Sequence, residues 1–172
     1  MTLKPARRAG GRTSAAELVV HVRRTTRAGR TPASTQLRHW ARLALGARGR
    51  SAELSLLVVG PARSRSLNRR YRGRDYATNV LSFPAAAAPV AAGASAVGTG
   101  RLLGDIVICP QVLRREARAQ GKAERAHFMH LYIHGVLHLI GFDHQRPAAA
   151  RRMEQRETRL LRALGVANPY RS

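Results

Sequence analysis

The stretch HGVLHLIGFDH, residues 134–144, places three histidines at a spacing of four and then six. Residues 126–140, which contain its first part, are apolar on nearly every face apart from histidines, and this predicts a helix buried at the centre of the fold. Residues i and i+4 of a helix lie one above the other, so His134 and His138 present their imidazoles to a single point. Gly141 ends the helix in the left-handed conformation that glycine adopts without steric cost. The turn then brings His144 back to the same point. Three neutral imidazoles at roughly 2.0–2.1 Å from one zinc ion leave a fourth tetrahedral position open to water, as a catalytic site requires and a structural site does not. The bland alternative is three satisfied or exposed histidines on an apolar helix. That reading suits His21, His39 and His127, each of which stands alone. His130 lies one turn before His134 on the same face, but three consecutive turns of a straight helix cannot all reach one ion. It is therefore expected behind the ligands or in the pocket wall, with an inert buried role as the alternative.

Zinc proteases of the three-histidine type use almost this spacing with a glutamate, their general base, directly after the first histidine. Here that position is Gly135.

Outward from this centre, the pattern predicts a small mixed sheet of about four strands with about five helices packed on it, an α+β fold. AELVVHV (16–22), ELSLLVV (53–59), TNVLSF (78–83) and LLGDIVI (102–108) are short, apolar and rich in branched side chains, as strands are. STQLRHWARLALG (34–46) carries Leu37, Trp40, Ala41, Ala44 and Leu45 on one helical face, with Ser34 or Thr35 available as N-cap and Gly46 at the C-cap position. Residues 62–72 read as an arginine-rich helix closed by Gly73, and QVLRREARAQ (111–120) as another, stopped by Gly121. The histidine helix runs from about Lys122 to Ile140. A last helix, Ala148 to Leu164, turns Met153, Leu160, Leu161 and Leu164 inward and its arginines outward. Residues 1–15 are expected to be a disordered basic tail. AAAAPVAAGASAVGTG (85–100) is expected to be a flexible Ala/Gly-rich loop within a single domain spanning 16–170.

The 172 residues carry 31 Lys and Arg against 9 Asp and Glu, a net charge of +22. Such a surplus favours a polyanionic partner, because each phosphate neutralised releases condensed counterions; a high-GC codon bias also enriches Arg and Ala. Cys109 is the only cysteine, which excludes a disulfide framework and fits a reducing, cytoplasmic compartment. No continuous apolar segment is long enough for a membrane span, and the basic N-terminus lacks the apolar core of a secretory signal.

HGVLHLIGFDH, together with LNRRYRGRDYATNVLSFP (67–84) and LLGDIVICP (102–110), resembles the YbeY family of bacterial endoribonucleases required for ribosomal RNA maturation. The resemblance covers roughly residues 16–170, and the connector 85–100 looks longer than the family's usual link. It implies a mixed sheet with helices and one zinc ion on His134, His138 and His144. It also implies cleavage of single-stranded RNA in ribosomal RNA maturation, including the 3′ end of 16S rRNA, and in ribosome quality control. The partner would be precursor ribosomal RNA, with the ribosome or a ribosomal protein as a further possibility and no membrane. The functional arginine of the family's YRG motif matches Arg72.

The chemistry is consistent with these residues. Zinc lowers the pKa of its water towards roughly 7 and polarises a phosphoryl oxygen, which makes a dedicated glutamate base less necessary. What remains is a cation at the developing negative charge, a task suited to the planar donor fork of arginine. Arg63, Arg65, Arg69, Arg70, Arg72 and Arg74 crowd one segment. Most of them are expected to form a solvated basic face that tracks phosphates. Asn79 and Asp105 are candidates for orienting the pocket, with turn-forming or strand-end roles as alternatives. Asp143 is expected to orient a ligand imidazole, with a proton-acceptor role as the alternative. Gly135 reads as evidence about the substrate, leaving room where a glutamate would crowd the metal. Two other classes share these features: a metalloprotease-like hydrolase, and a non-catalytic zinc-containing ribosome assembly factor.

Overall fold

The structure is a computed structural model that describes residues 17–27, 29–85 and 101–170. The expected tail at 1–15 and, apart from Ala85, the expected loop at 85–100 lie outside those residues. Four strands, β1 (Val19–Arg24), β2 (Ala52–Val58), β3 (Val80–Pro84) and β4 (Arg101–Ile108), make one sheet in the order β1-β2-β4-β3. The pairs β1–β2 and β2–β4 are parallel, whereas β3 runs antiparallel to β4 and forms an edge. Five α-helices complete the α+β fold: α1 (Ser34–Leu45), α2 (Pro61–Arg72), α3 (Pro110–Ala119), α4 (Glu124–Leu139) and α5 (Pro147–Ala163).

Alternation along the strands sorts side chains to the two faces of the sheet. Leu54, Leu56, Ile106 and Ile108 face a large core shared with α1, α4 and α5, whereas Val107 and Leu81 join a smaller cluster with Leu67 of α2. The face expected for α1 is the buried one, from Leu37 through Leu45. Its expected side-chain cap is not formed. Ala33 occupies the N-cap in an extended conformation, and its carbonyl accepts from the N–H groups of Gln36 and Leu37 at 2.9 and 3.0 Å. Ser34 and Thr35 are therefore already inside the first turn. After α1 the chain adds one 3-10 turn, Gly46–Gly49, before β2.

Helix α4 is buried on most of its circumference, as its uniformly apolar sequence requires: Phe128, Leu131, Tyr132, Ile133, Val136 and Leu137 are all inaccessible or nearly so. It lies against β3 and β4 and is flanked by α1, α3 and α5. The approach to the sheet is close at Gly135. A Cβ there would sit 3.0 Å from Ile106 Cγ2 and 3.2 Å from Ser82 Oγ. Gly135 thus faces the sheet, and the absent glutamate has a packing cause. The idea that this glycine makes room beside the metal is corrected: the space it leaves is filled by β3 and β4. Gly135→Glu is expected to bury a carboxylate against Ile106 and to cost at least about 3 kcal/mol. Chemical denaturation measures this, and a variant as stable as wild type would mean that α4 does not pack as described.

Candidate metal centre

The last two turns of α4 carry His134 and His138, whose Nε2 atoms lie 3.1 Å apart. Gly141, at φ 90°, breaks the helix, and Phe142 N–H returns to the Leu137 carbonyl at 3.1 Å. The following residues carry His144 back over the pair. Its ring centroid lies 5.5 Å from that of His134 and 4.9 Å from that of His138. One nitrogen from each of the three rings lies within 4.8 Å of the other two. Tetrahedral ligation at about 2.05 Å separates ligand nitrogens by roughly 3.3 Å, so the donor set and its spacing fit a zinc-sized ion. Burial lowers the pKa of His138 to about 4, and the neighbouring His134 and His144 push it in the same direction. The ring is therefore neutral and able to donate its lone pair at physiological pH.

The opposite side of His134 is held by a residue that the pattern reading missed. His134 Nδ1–H donates to Glu157 Oε1 at 2.7 Å, which fixes the tautomer and leaves Nε2 free to face His138. Glu157, on α5, is fully buried. Its other oxygen, Oε2, accepts from His130 Nε2–H at 2.9 Å and from the Tyr170 hydroxyl. Burial alone would raise the Glu157 pKa, but hydrogen bonds from His130, His134 and Tyr170 outweigh it and bring it down to about 2. His130, His134 and Glu157 also lie close enough to hold an ion. Because His134 belongs to both groups, the simpler account is one layered site, with the carboxylate behind the ligands. A signal was present in the sequence: Glu157 stands four residues after Met153 and four before Leu161, on the apolar face of an otherwise arginine-studded helix.

The three histidines open onto a groove of ≈ 1170 Å³, larger than the roughly 300–1,000 Å³ of small-molecule sites. Of the six arginines between 63 and 74, Arg63, Arg72 and Arg74 line it. Arg65 is instead engaged by Asp75 in a two-pronged pair at 2.8 and 2.7 Å. Arg72 is the last residue of α2, which Gly73 closes in the left-handed conformation. Arg23 adds a fourth cation, set against two lining carboxylates, Asp105 and Asp143.

The remaining candidates separate by their contacts. Asp143 Oδ1 accepts from the backbone N–H of His144 at 2.6 Å and of Gln145 at 3.0 Å, so it shapes the turn that presents the third histidine. Asp105 is an exposed residue of β4 that lines the groove. Asn79 lines the groove, but its Nδ2 donates to Glu116 Oε2 at 2.8 Å and its Oδ1 accepts from Val80 N–H at 2.6 Å, tying α3 to the start of β3. The same Glu116 oxygen meets the buried His127 Nε2 at 3.1 Å and anchors that ring in the core, while its Nδ1 is buried with no hydrogen-bond partner among the described residues. His130 does not wall the groove; it braces Glu157 from behind.

An α+β scaffold that brings three imidazoles together in a groove lined by Arg23, Arg63, Arg72 and Arg74 is compatible with a metal ion at the imidazoles and with an anionic ligand beside them. A family model, endoribonuclease YbeY, matches residues 24–165. The chain is 51% identical over 139 residues to the endoribonuclease YbeY of Stenotrophomonas maltophilia strain R551-3, covering 81% of this chain and 84% of that one. It is 47% identical to the endoribonuclease YbeY of Halorhodospira halophila over 81% and 88% of the two chains. The solution structure of TM1509 from Thermotoga maritima aligns with a TM-score of 0.54 at 19% identity, over 89% of this chain and 99% of that one, and shows a shared fold. The chain belongs to the YbeY endoribonuclease family.

Two outcomes follow from the Glu157 geometry. Glu157→Gln is expected to weaken zinc binding roughly 10- to 100-fold in chelator competition; unchanged affinity would reduce Glu157 to a packing role. The metal-free protein is expected to lose stability on acidification in two windows. The unfolded chain takes up the His138 proton below its ordinary value of 6.5 while the folded ring resists to about 4. The Glu157 contribution, present above 4.5, drains away as pH falls towards about 2. Acid titration followed by circular dichroism should show both windows, with only the lower one removed in Glu157→Gln.

Proposed function

We propose that this chain is a zinc-dependent endoribonuclease that prefers single strands and acts on ribosomal RNA precursors, including the 3′ end of 16S rRNA. In this reading His134, His138 and His144 hold one zinc ion. The observation that carries it is the continuity of the three-histidine centre with a groove bearing Arg63, Arg72 and Arg74. Family membership and the net charge of +22 support it.

His134, His138 and His144 would hold the zinc ion, which when bound would supply water activation near neutral pH and Lewis-acid polarisation of the scissile phosphate. The protein's own groups do the rest. Glu157 holds His134 in the tautomer that presents Nε2. Asp143 sets the turn that brings in His144. Arg72 offers its guanidinium to the phosphoryl oxygens as their charge grows, while Arg63 and Arg74 seat the flanking phosphates. A role in ribosome quality control, contact with a ribosomal protein and a cytoplasmic location belong to this same proposal. No helix among the described residues is long and apolar enough to cross a membrane.

The protease-like alternative loses its base for a physical reason, since position 135 is turned into the sheet. The assembly-factor alternative is separated by experiment. His138→Ala is expected to abolish stoichiometric zinc, measured by elemental analysis, together with cleavage of a single-stranded ribosomal RNA fragment. Arg72→Glu is expected to keep its zinc and lose cleavage by at least about 100-fold, the scale of removing one transition-state donor. Full cleavage by the zinc-free variant would overturn the metal mechanism. Equal residual cleavage in matched preparations of wild type and Arg72→Glu would favour the assembly factor.

A further inference from the structure

The groove contains an aromatic feature that phosphate binding does not require. Tyr71, in the last turn of α2, is 57% exposed although it stands beside an apolar wall. Its ring meets Phe83 of the edge strand β3 in a T-shaped contact, with centroids 4.9 Å apart and planes at 64°. Both rings line the same groove as Arg72, Arg74 and the three histidines. Arg70 lies over the Tyr71 ring, 5.5 Å from its centroid. Phe83 thus braces Tyr71 without covering it, and the cations around the pair suit a ligand that joins an aromatic face to negative charge. A nucleobase on a phosphodiester chain is such a ligand.

We propose that Tyr71, braced by Phe83, is a stacking subsite for an unpaired base of the RNA strand whose phosphates are held by Arg72 and Arg74. The subsite rests on the RNA reading above and deepens it by naming the residue that distinguishes single from double strands. A base inside a duplex has both faces stacked already and cannot lie on the ring, whereas an unpaired base gains a partner. Because any base has a π-face, the subsite selects for strand state and tolerates sequence. Tyr71 acts by binding, and no proton or bond change passes through it.

The test uses the zinc-loaded full chain and a 2′-O-methyl oligoribonucleotide carrying 2-aminopurine, whose fluorescence falls on stacking and whose integrity after each titration is checked by gel electrophoresis. Wild type is expected to bind the single strand with quenching. Tyr71→Ala is expected to bind about 5- to 150-fold more weakly, the range for losing one aromatic–base stack, without quenching and with unchanged zinc content. Tyr71→Phe and Tyr71→Trp should restore both affinity and quenching. Phe83→Leu, which removes the brace and leaves the ring, should fall between wild type and Tyr71→Ala. Binding of the matching duplex should be the same in wild type and Tyr71→Ala. Equal single-strand affinity and quenching in wild type and Tyr71→Ala would overturn the subsite, as would a Tyr71→Phe variant as weak as Tyr71→Ala, which would assign the effect to the phenol hydroxyl. If wild type fails to bind either oligomer, the RNA reading falls, and the subsite with it.

Discussion

Everything at the site depends on how closely α4 lies against the sheet. The helix has to serve three surroundings at once. One side meets β3 and β4 and is stripped to a glycine so that Ile106 and Ser82 can approach. A second carries His134 and His138 towards the groove, and the same His134, through its other nitrogen, reaches Glu157 on α5. Any outward shift that made room for a side chain at 135 would carry both histidines away from His144, whose position is set separately by the turn after Gly141. Packing and the convergence of the three histidines are thus coupled through a rigid helix in a close-packed core. In this chain the residue after the first histidine is a structural position, and its identity says more about the sheet behind the helix than about the substrate in front of it.

The electrostatics of the centre follow from one buried anion. Three imidazoles meeting at a point would repel one another if protonated, and burial already disfavours the charged form of His138. Glu157 counters this on the far side, where it is fully buried and accepts from His130, His134 and Tyr170. A bare carboxylate in such a place would be costly, and the three donors are what make it tolerable. The arrangement also links distant parts of the chain. Tyr170 comes from beyond α5, and His130 from two turns before His138, so the C-terminal segment is tied to the metal centre by a polar network instead of by apolar packing alone.

The α+β class and the order of elements were legible because strands and helices announce themselves by period. The helix positions facing the core in α1 and the burial of most of α4 follow directly from where the apolar residues fall. The convergence of His134, His138 and His144 was legible for the same reason, since an i, i+4 pair followed by a glycine turn is a local geometry. The placing of β3 at the edge, antiparallel to β4 in an otherwise parallel sheet, was not legible, because strand pairing is set by contacts distant in sequence. Glu157 stayed hidden because its charge matched the polar character of α5. Only its register with Met153 and Leu161 marked it as inward-facing. The N-cap of α1 was misplaced because a backbone carbonyl, that of Ala33, did what a serine or threonine side chain was expected to do.

The arginines show where composition stops being informative. A net charge of +22 creates a field that attracts a polyanion from any direction. At physiological ionic strength that field is screened over about 8 Å, so cations on distant faces steer the substrate without touching the reaction. Local geometry decides which arginines do more. Arg65 is taken by Asp75, Arg70 sits on Tyr71, and the left-handed turn at Gly73 separates Arg72, which ends α2, from Arg74, which begins the extended chain, with both lining the groove. A helix continuing through 73 would have rotated those two side chains about 200° apart. The turn residue, which carries no charge, is what gathers the cations on the side of the three histidines.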